Sequence, residues 1–228
     1  MIYNDLGEHE QALAWRFAAL PLSSVVRLRL TRKMLKLTSA ATPPWQLMNF
    51  ISPNSPAYYL TSVAKDRLPV FRTDKVKSIA CSALNEARTS GGFLILAYVI
   101  MPDHFHIITD GEKKASVIQR FINGIGSRRV IDFLKHEGYT SSLEKLRHEE
   151  YRRGHRYSLW DHHPNVRLLT SEGMFMQRVH YTHQNPVRLG LVERAEDYRF
   201  SSARIWNRRP LEDEPLLMDI DKIRWHQR

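Results

Sequence analysis

Between Ala57 and Trp206 the apolar positions change period several times, and each change marks an element. Tyr58-Tyr59-Leu60-Thr61-Ser62-Val63 reads as a first strand, and the charged stretch Lys65-Asp66-Arg67-Leu68-Pro69 as the loop after it. Thr73 is a helix N-cap with Asp74 in the first turn. From there to about Arg88, Val76, Ile79, Ala80, Ala83, Leu84 and Ala87 form one apolar stripe, which Gly91-Gly92 ends. Phe93 to Ile100 is nearly all apolar, as suits a strand covered on both faces. The turn Met101-Pro102-Asp103 leads into His104-Phe105-His106-Ile107-Ile108-Thr109, so an antiparallel hairpin is expected.

A helix of about Ala115 to His136 follows, with Val117, Ile118, Phe121, Ile122 and Ile125 inside, and Gly124 and Gly126 as points where it bends. Glu137 to Ser158 is polar and irregular, and His162 to Leu169 reads as the last strand. Ser171 caps a helix from Glu172 to about Gln184, which Pro186 is expected to stop near Asn185. The order β-α-β-β-α-β plus a helix predicts an α+β fold. It is a ferredoxin-like, RRM-like antiparallel sheet with helices on one side and Tyr181 on a C-terminal helix.

Charge adds a partner to this picture. The 228 residues carry 34 Lys+Arg against 24 Asp+Glu, a net +10. Such an excess favours a polyanion, nucleic acid first, because phosphate contacts release counterions. Lys113, Lys114, Arg120, Arg128 and Arg129 on the outer side of the second helix, with Arg188 and Arg199 after Tyr181, are the candidate DNA-binding residues. No apolar run approaches the roughly 20 residues of a membrane span, so no membrane partner is expected. The single cysteine, Cys81, lies on the buried side of the first helix as a core thiol. It leaves no disulfide framework, and a cytoplasmic location follows as the default.

The chain divides into an N-terminal extension 1–55, a main domain 56–207 with a basic insertion at 136–158, and a tail 208–228. The extension holds Arg27, Arg29, Arg32, Lys33 and Lys36, either a nucleic-acid arm or a poorly packed appendage. In the insertion Tyr139, Tyr151 and Tyr157 stand among bases, suited to stacking on unpaired nucleotides or to a solvated loop.

On a strand His104 and His106 share a face about 7 Å apart, a metal pair by spacing. With 11 His in the chain, about 0.5 such spacings arise by chance, so the pair needs support. Tyr181 and Asn185 supply it, since positions i and i+4 share a helix face. A phenol of pKa near 10 is a poor nucleophile unless a metal assists it. Two imidazoles and an amide oxygen leave open positions on a divalent cation, where a phosphate can meet the phenol. His183 points about 200° away from Tyr181 and is read as a packing residue. Asp103 is either a hydrogen-bond partner of a ligand histidine or a simple turn residue. His162-His163 before Pro164 is read as a surface pair, with metal contact as the other reading.

Several blocks in order then carry a family resemblance. They are Tyr58-Tyr59-Leu60-Thr61-Ser62 with Asp66-Arg67-Leu68-Pro69-Val70-Phe71, Leu96 through His106, Ser158-Leu159-Trp160-Asp161, Tyr181 through Val192, and Glu196 through Ala203. Together they resemble the single-tyrosine HUH transposases, and among these the REP-associated tyrosine transposases of the IS200-like group. The resemblance implies that His104 and His106 are the HUH metal ligands, Asn185 the third ligand and Tyr181 the nucleophile. It implies a single-stranded or hairpin DNA substrate, cut to a 5′-phosphotyrosine and a free 3′-OH, with Mg²⁺ or Mn²⁺ as the ion. Monomer and homodimer both remain open. So do two other classes of function, a non-catalytic hairpin nucleic-acid-binding protein descended from such an enzyme and a hydrolytic metallonuclease that uses water.

Overall fold

The computed structural model describes residues 51–148, 156–161 and 165–225. The basic arm before position 51, Tyr151 and His162-His163 lie outside them. Four strands, β1 (Ala57–Val63), β2 (Ile95–Ile100), β3 (His104–Asp110) and β4 (Asn165–Leu169), form one sheet in the order β2-β3-β1-β4. Every pairing is antiparallel. The helices are α1 (Asp74–Gly91), α2 (Ala115–His136), α3 (Thr140–Lys145), α4 (Glu172–Arg188) and α5 (Ala203–Trp206). This is the α+β, ferredoxin-like arrangement expected from the element order.

Capping fixes where two helices start. The Thr73 hydroxyl accepts from the Val76 N–H, and the Ser171 hydroxyl accepts from the Met174 N–H. At the other end of α1, Gly92 sits at φ 60°, a left-handed position that a residue with a Cβ rarely adopts. Helix α2 runs unbroken through Gly124 and Gly126, and a Cβ at Gly126 would stand 3.3 Å from the Trp160 ring.

Two apolar layers flank the sheet. On one face α1 and α2 bury Val76, Cys81, Leu84, Ile118 and Ile122 against Leu60, Tyr98, Phe105 and Ile107. On the other, Phe175 and Val179 of α4 pack on Tyr59, Ala97 and Ile108. The crossover helices thus share one side as expected, while the tyrosine helix takes the opposite side. Burial from both directions explains the unbroken apolar run of β2. It also puts the alternate residues of β3, His104 and His106 among them, on the α4 face.

The chain after α4, as far as Asp219 in the segment 208–228, is hydrogen-bonded to the sheet. It runs along the free edge of β2, where Phe200 and Tyr98 carbonyls accept from the N–H groups of Ile100 and Ser202, and the Asp219 N–H donates to Ile95. The buried Asp219 carboxylate accepts from Arg88 at 2.8 Å and from the Ile95 N–H at 3.0 Å, and pairs with Lys222. Burial alone would raise this carboxyl, but Lys222, the Ile95 N–H and Arg88 together hold it below its usual value. A depressed carboxylate stabilises the fold fully above its unfolded-state pKa, and that stabilisation is lost as pH falls through the folded value. Asp219→Asn should therefore cost about 2 kcal/mol at neutral pH and flatten the acid side of the stability curve. Denaturant melts at pH 3.5 and pH 7 measure both effects.

Candidate active site

The β1–β3 register sets Thr61 opposite His106 and Val63 opposite His104. Cross-strand partners share a face, so the His106 imidazole meets the polar atoms of β1. Its Nδ1 lies 2.8 Å from the Tyr59 hydroxyl and 2.9 Å from the Thr61 hydroxyl. Both hydroxyls donate or accept, so either tautomer of the ring is satisfied. His104 Nδ1 lies 2.6 Å from the Asp103 carboxylate, which in turn accepts from Arg67 at 2.9 Å. Asp103 is therefore the partner of a histidine, and not merely a turn residue. Burial pushes its carboxyl up, but His104 and Arg67 outweigh that and bring it below the usual range.

The two rings are 4.8 Å apart between centroids, and Nδ1 of each is tied down by neighbouring side chains. That is how a ligand imidazole is held for a metal. Desolvation, followed by the neighbouring His104, drives the His106 pKa down to about 3. The ring is thus neutral, the state that binds a cation.

Across from β3 stands α4. Tyr181 is half-buried, with its ring 5.8 Å from that of His106 and 6.3 Å from that of Tyr59. Asn185 hydrogen-bonds the His106 side chain. Helix α4 does not stop before Pro186 but continues to Arg188, which corrects the sequence expectation. Proline lacks the N–H that would serve the Thr182 carbonyl. The Asn185 side-chain amide reaches that carbonyl at 3.5 Å and the Tyr181 carbonyl at 2.8 Å. Its nitrogen is thereby engaged with the backbone, so its oxygen is the atom directed at the histidines.

Two imidazole nitrogens and one amide oxygen converge in this cleft. Among the described residues no group of three His, Cys, Asp or Glu side chains is gathered to hold an ion. The Asn185 amide stands beside the two imidazoles, and an N,N,O set of this kind with positions left open fits a divalent ion.

Two cations frame the phenol. The Arg188 guanidinium lies 4.9 Å from the centre of the Tyr181 ring, and Arg178 lies 5.6 Å from it and 5.4 Å from Tyr59. Arg178 stands one turn before Tyr181 and was legible from that spacing, yet it was not among the expected site residues; Tyr59 and Thr61 needed the strand register.

The other expected DNA-binding residues are not brought to this cleft. Arg128 and Arg129 pair with Glu86 between α1 and α2, on the far side of the sheet. Arg120 is exposed on α2, and Lys113 and Lys114 follow the end of β3 remote from His104. Arg199 is paired with Asp213. His183 is buried as expected, with Nε2 2.9 Å from the Ser202 hydroxyl, and burial lowers its pKa to about 4.

The α+β domain thus carries paired imidazoles, a phenol and an amide in one cleft. Residues 54–163 match the family model described as Transposase IS200 like. Tyr181 and Asn185 lie beyond the matched residues. Among solved structures, the REP-associated tyrosine transposase bound to a REP hairpin is 18% identical, with a TM-score of 0.49 over 72% of this chain and 86% of that one. A candidate transposase from Deinococcus radiodurans R1 is 22% identical, with a TM-score of 0.40 over 55% of this chain and 86% of that one. No curated protein matches the chain. No helix among the described residues is long and apolar enough to cross a membrane.

The depressed histidines have a pH signature. A histidine whose folded pKa lies below its ordinary 6.5 stabilises the fold fully above that value and loses the contribution as pH falls. In metal-free protein the imidazole resonances of His106 and His183 should stay at their neutral shifts from pH 8 to pH 5. NMR titration checks this, and a midpoint near pH 6.5 for either ring would contradict its desolvation.

Proposed function

We propose that this chain is a single-tyrosine transposase that cleaves and rejoins single-stranded, hairpin-associated DNA through a 5′-phosphotyrosine. The observation that carries the reading is Tyr181 facing the His104–His106 pair while Asn185 on the same helix face bonds His106. The family match and the net charge of +10 support a transposase acting on a polyanion. The catalytic unit is assigned to 56–207, with 1–55 as an extension and 136–158 as an insertion.

His104, His106 and Asn185 would hold the ion, Mg²⁺ or Mn²⁺, and two nitrogen donors lean the choice toward Mn²⁺. When bound, it supplies charge neutralisation at the phosphoryl oxygens and polarisation of the phosphorus. The chain's own groups do the rest. Asp103 and the Tyr59 and Thr61 hydroxyls orient the imidazoles, and Arg188 offsets charge as the Tyr181 oxygen forms its bond to phosphorus. The phosphorus–O3′ bond breaks, the phenol loses its proton to water, and O3′ leaves as a hydroxyl after taking one up. The ester keeps the energy of the broken link, so the reverse attack by a 3′-OH rejoins strands without an external source.

Tyr181→Phe should abolish the covalent protein–DNA adduct on a denaturing gel while leaving binding of hairpin DNA from the flanks of its own gene within about twofold. Chelation should stop cleavage and spare most of the salt-sensitive binding. Cleavage by the wild type with no adduct would point instead to a water-using metallonuclease.

A further inference from the structure

Seven arginines among the described residues, Arg67, Arg88, Arg128, Arg129, Arg194, Arg199 and Arg204, are neutralised by acids. Arg178 has no acidic partner among the described residues; its guanidinium lies over the Tyr59 and Tyr181 rings, half-buried between them. Arg167 on β4 stands opposite Tyr59 in the β1–β4 register, so its side chain rises from the same sheet face, and it too lacks an acidic partner there. The Tyr59 phenol feels both cations.

Surfaces that leave guanidiniums unpaired beside one another are short of negative charge. This one also has a direction. The strand of His106 is followed by β1 and then β4, so about 10 Å separates the histidines from the Arg167 strand. Among the described residues no further strand pairs with β4, and Asn165 to Leu168 are exposed there.

We propose that Arg178 and Arg167 form a second phosphate subsite beside Tyr59, taking the backbone phosphate next to the scissile one. The single strand then leaves the cleft over β1 and past β4. Arg188, over the Tyr181 ring, stays with the scissile phosphate. Tyr59 acts as the floor between the two subsites and not as a second nucleophile, since its hydroxyl is buried on His106. The inference rests on the reading that Tyr181 faces single-stranded DNA, and it makes Arg178 a positioning residue of that reaction.

The test is a neutral-linkage scan. Single-stranded DNA from the flanks of the protein's own gene is prepared with one phosphate at a time replaced by a methylphosphonate. Binding is measured with chelator present, for wild type, Arg178→Ala, Arg178→Lys and Arg167→Ala, each checked for an unchanged melting transition. Wild-type binding should weaken about tenfold at one linkage adjacent to the cleavage position, consistent with a lost charge-assisted contact. Arg178→Ala should bind the unmodified strand about tenfold more weakly and become indifferent to that one linkage. Arg167→Ala should show the same pattern to a lesser degree, and Arg178→Lys should recover sensitivity. If the variant and linkage losses multiply at every position, or if no linkage outside the scissile one matters, the subsite is overturned. Adduct formation on unmodified strand is scored in parallel with a divalent ion added. A wild type that shows the coupling yet forms no adduct retains the subsite and refutes the tyrosine reading instead.

Discussion

The pairing of β1 with β3 is the constraint on which the site depends. It sets Thr61 against His106, so that the β1 hydroxyls hold one imidazole, while Asp103 at the β3 turn holds the other. A slip of one residue would turn both histidines into the α1–α2 core and Phe105 into the cleft. The flanking core forbids that slip. Phe105 is 2% exposed and ring-packed on Trp160 at 5.0 Å, and the position is apolar on every side. Packing on one face of the sheet thereby fixes chemistry on the other.

Helix α4 completes the cleft by a second, independent anchoring. Phe175 and Val179 seat it on the sheet, and Leu191, Ala195 and the segment through Ser202 return the chain to the β2 edge. Within that seat the helix presents Arg178, Tyr181, Asn185 and Arg188 in one stripe. Pro186 belongs to the arrangement. Because it removes a backbone donor, the Asn185 amide is drawn onto the helix carbonyls and its oxygen is turned outward, so a helix-breaking residue orients that side chain.

Much of this was legible in sequence. The bounds of α1 and α2, the hairpin and the strand order follow from period, caps and turns. His104, His106, Tyr181 and Asn185 follow from spacing on elements of known period, which is why the geometry brings all four together. What sequence missed depends on long-range register. Tyr59 and Thr61 look like ordinary strand residues until β3 is laid beside them, and Arg167 joins the face only through β4. Charge was misleading for the same reason. Arg128, Arg129 and Arg199 are as basic in sequence as Arg178, but carboxylates brought in from Glu86 and Asp213 neutralise them, and only the fold reveals that. The end of α4 escaped prediction because the compensation for Pro186 comes from the side chain immediately before it.

One measurement reaches the central claim directly: mapping by mass spectrometry the peptide that carries nucleotide after reaction with single-stranded DNA and a divalent ion. The protein has 9 tyrosines, so the site of attachment is a discriminating result. Attachment at Tyr181 is expected. A nucleotide on Tyr59 or any other residue, or cleavage that leaves every tyrosine unmodified, would contradict the account.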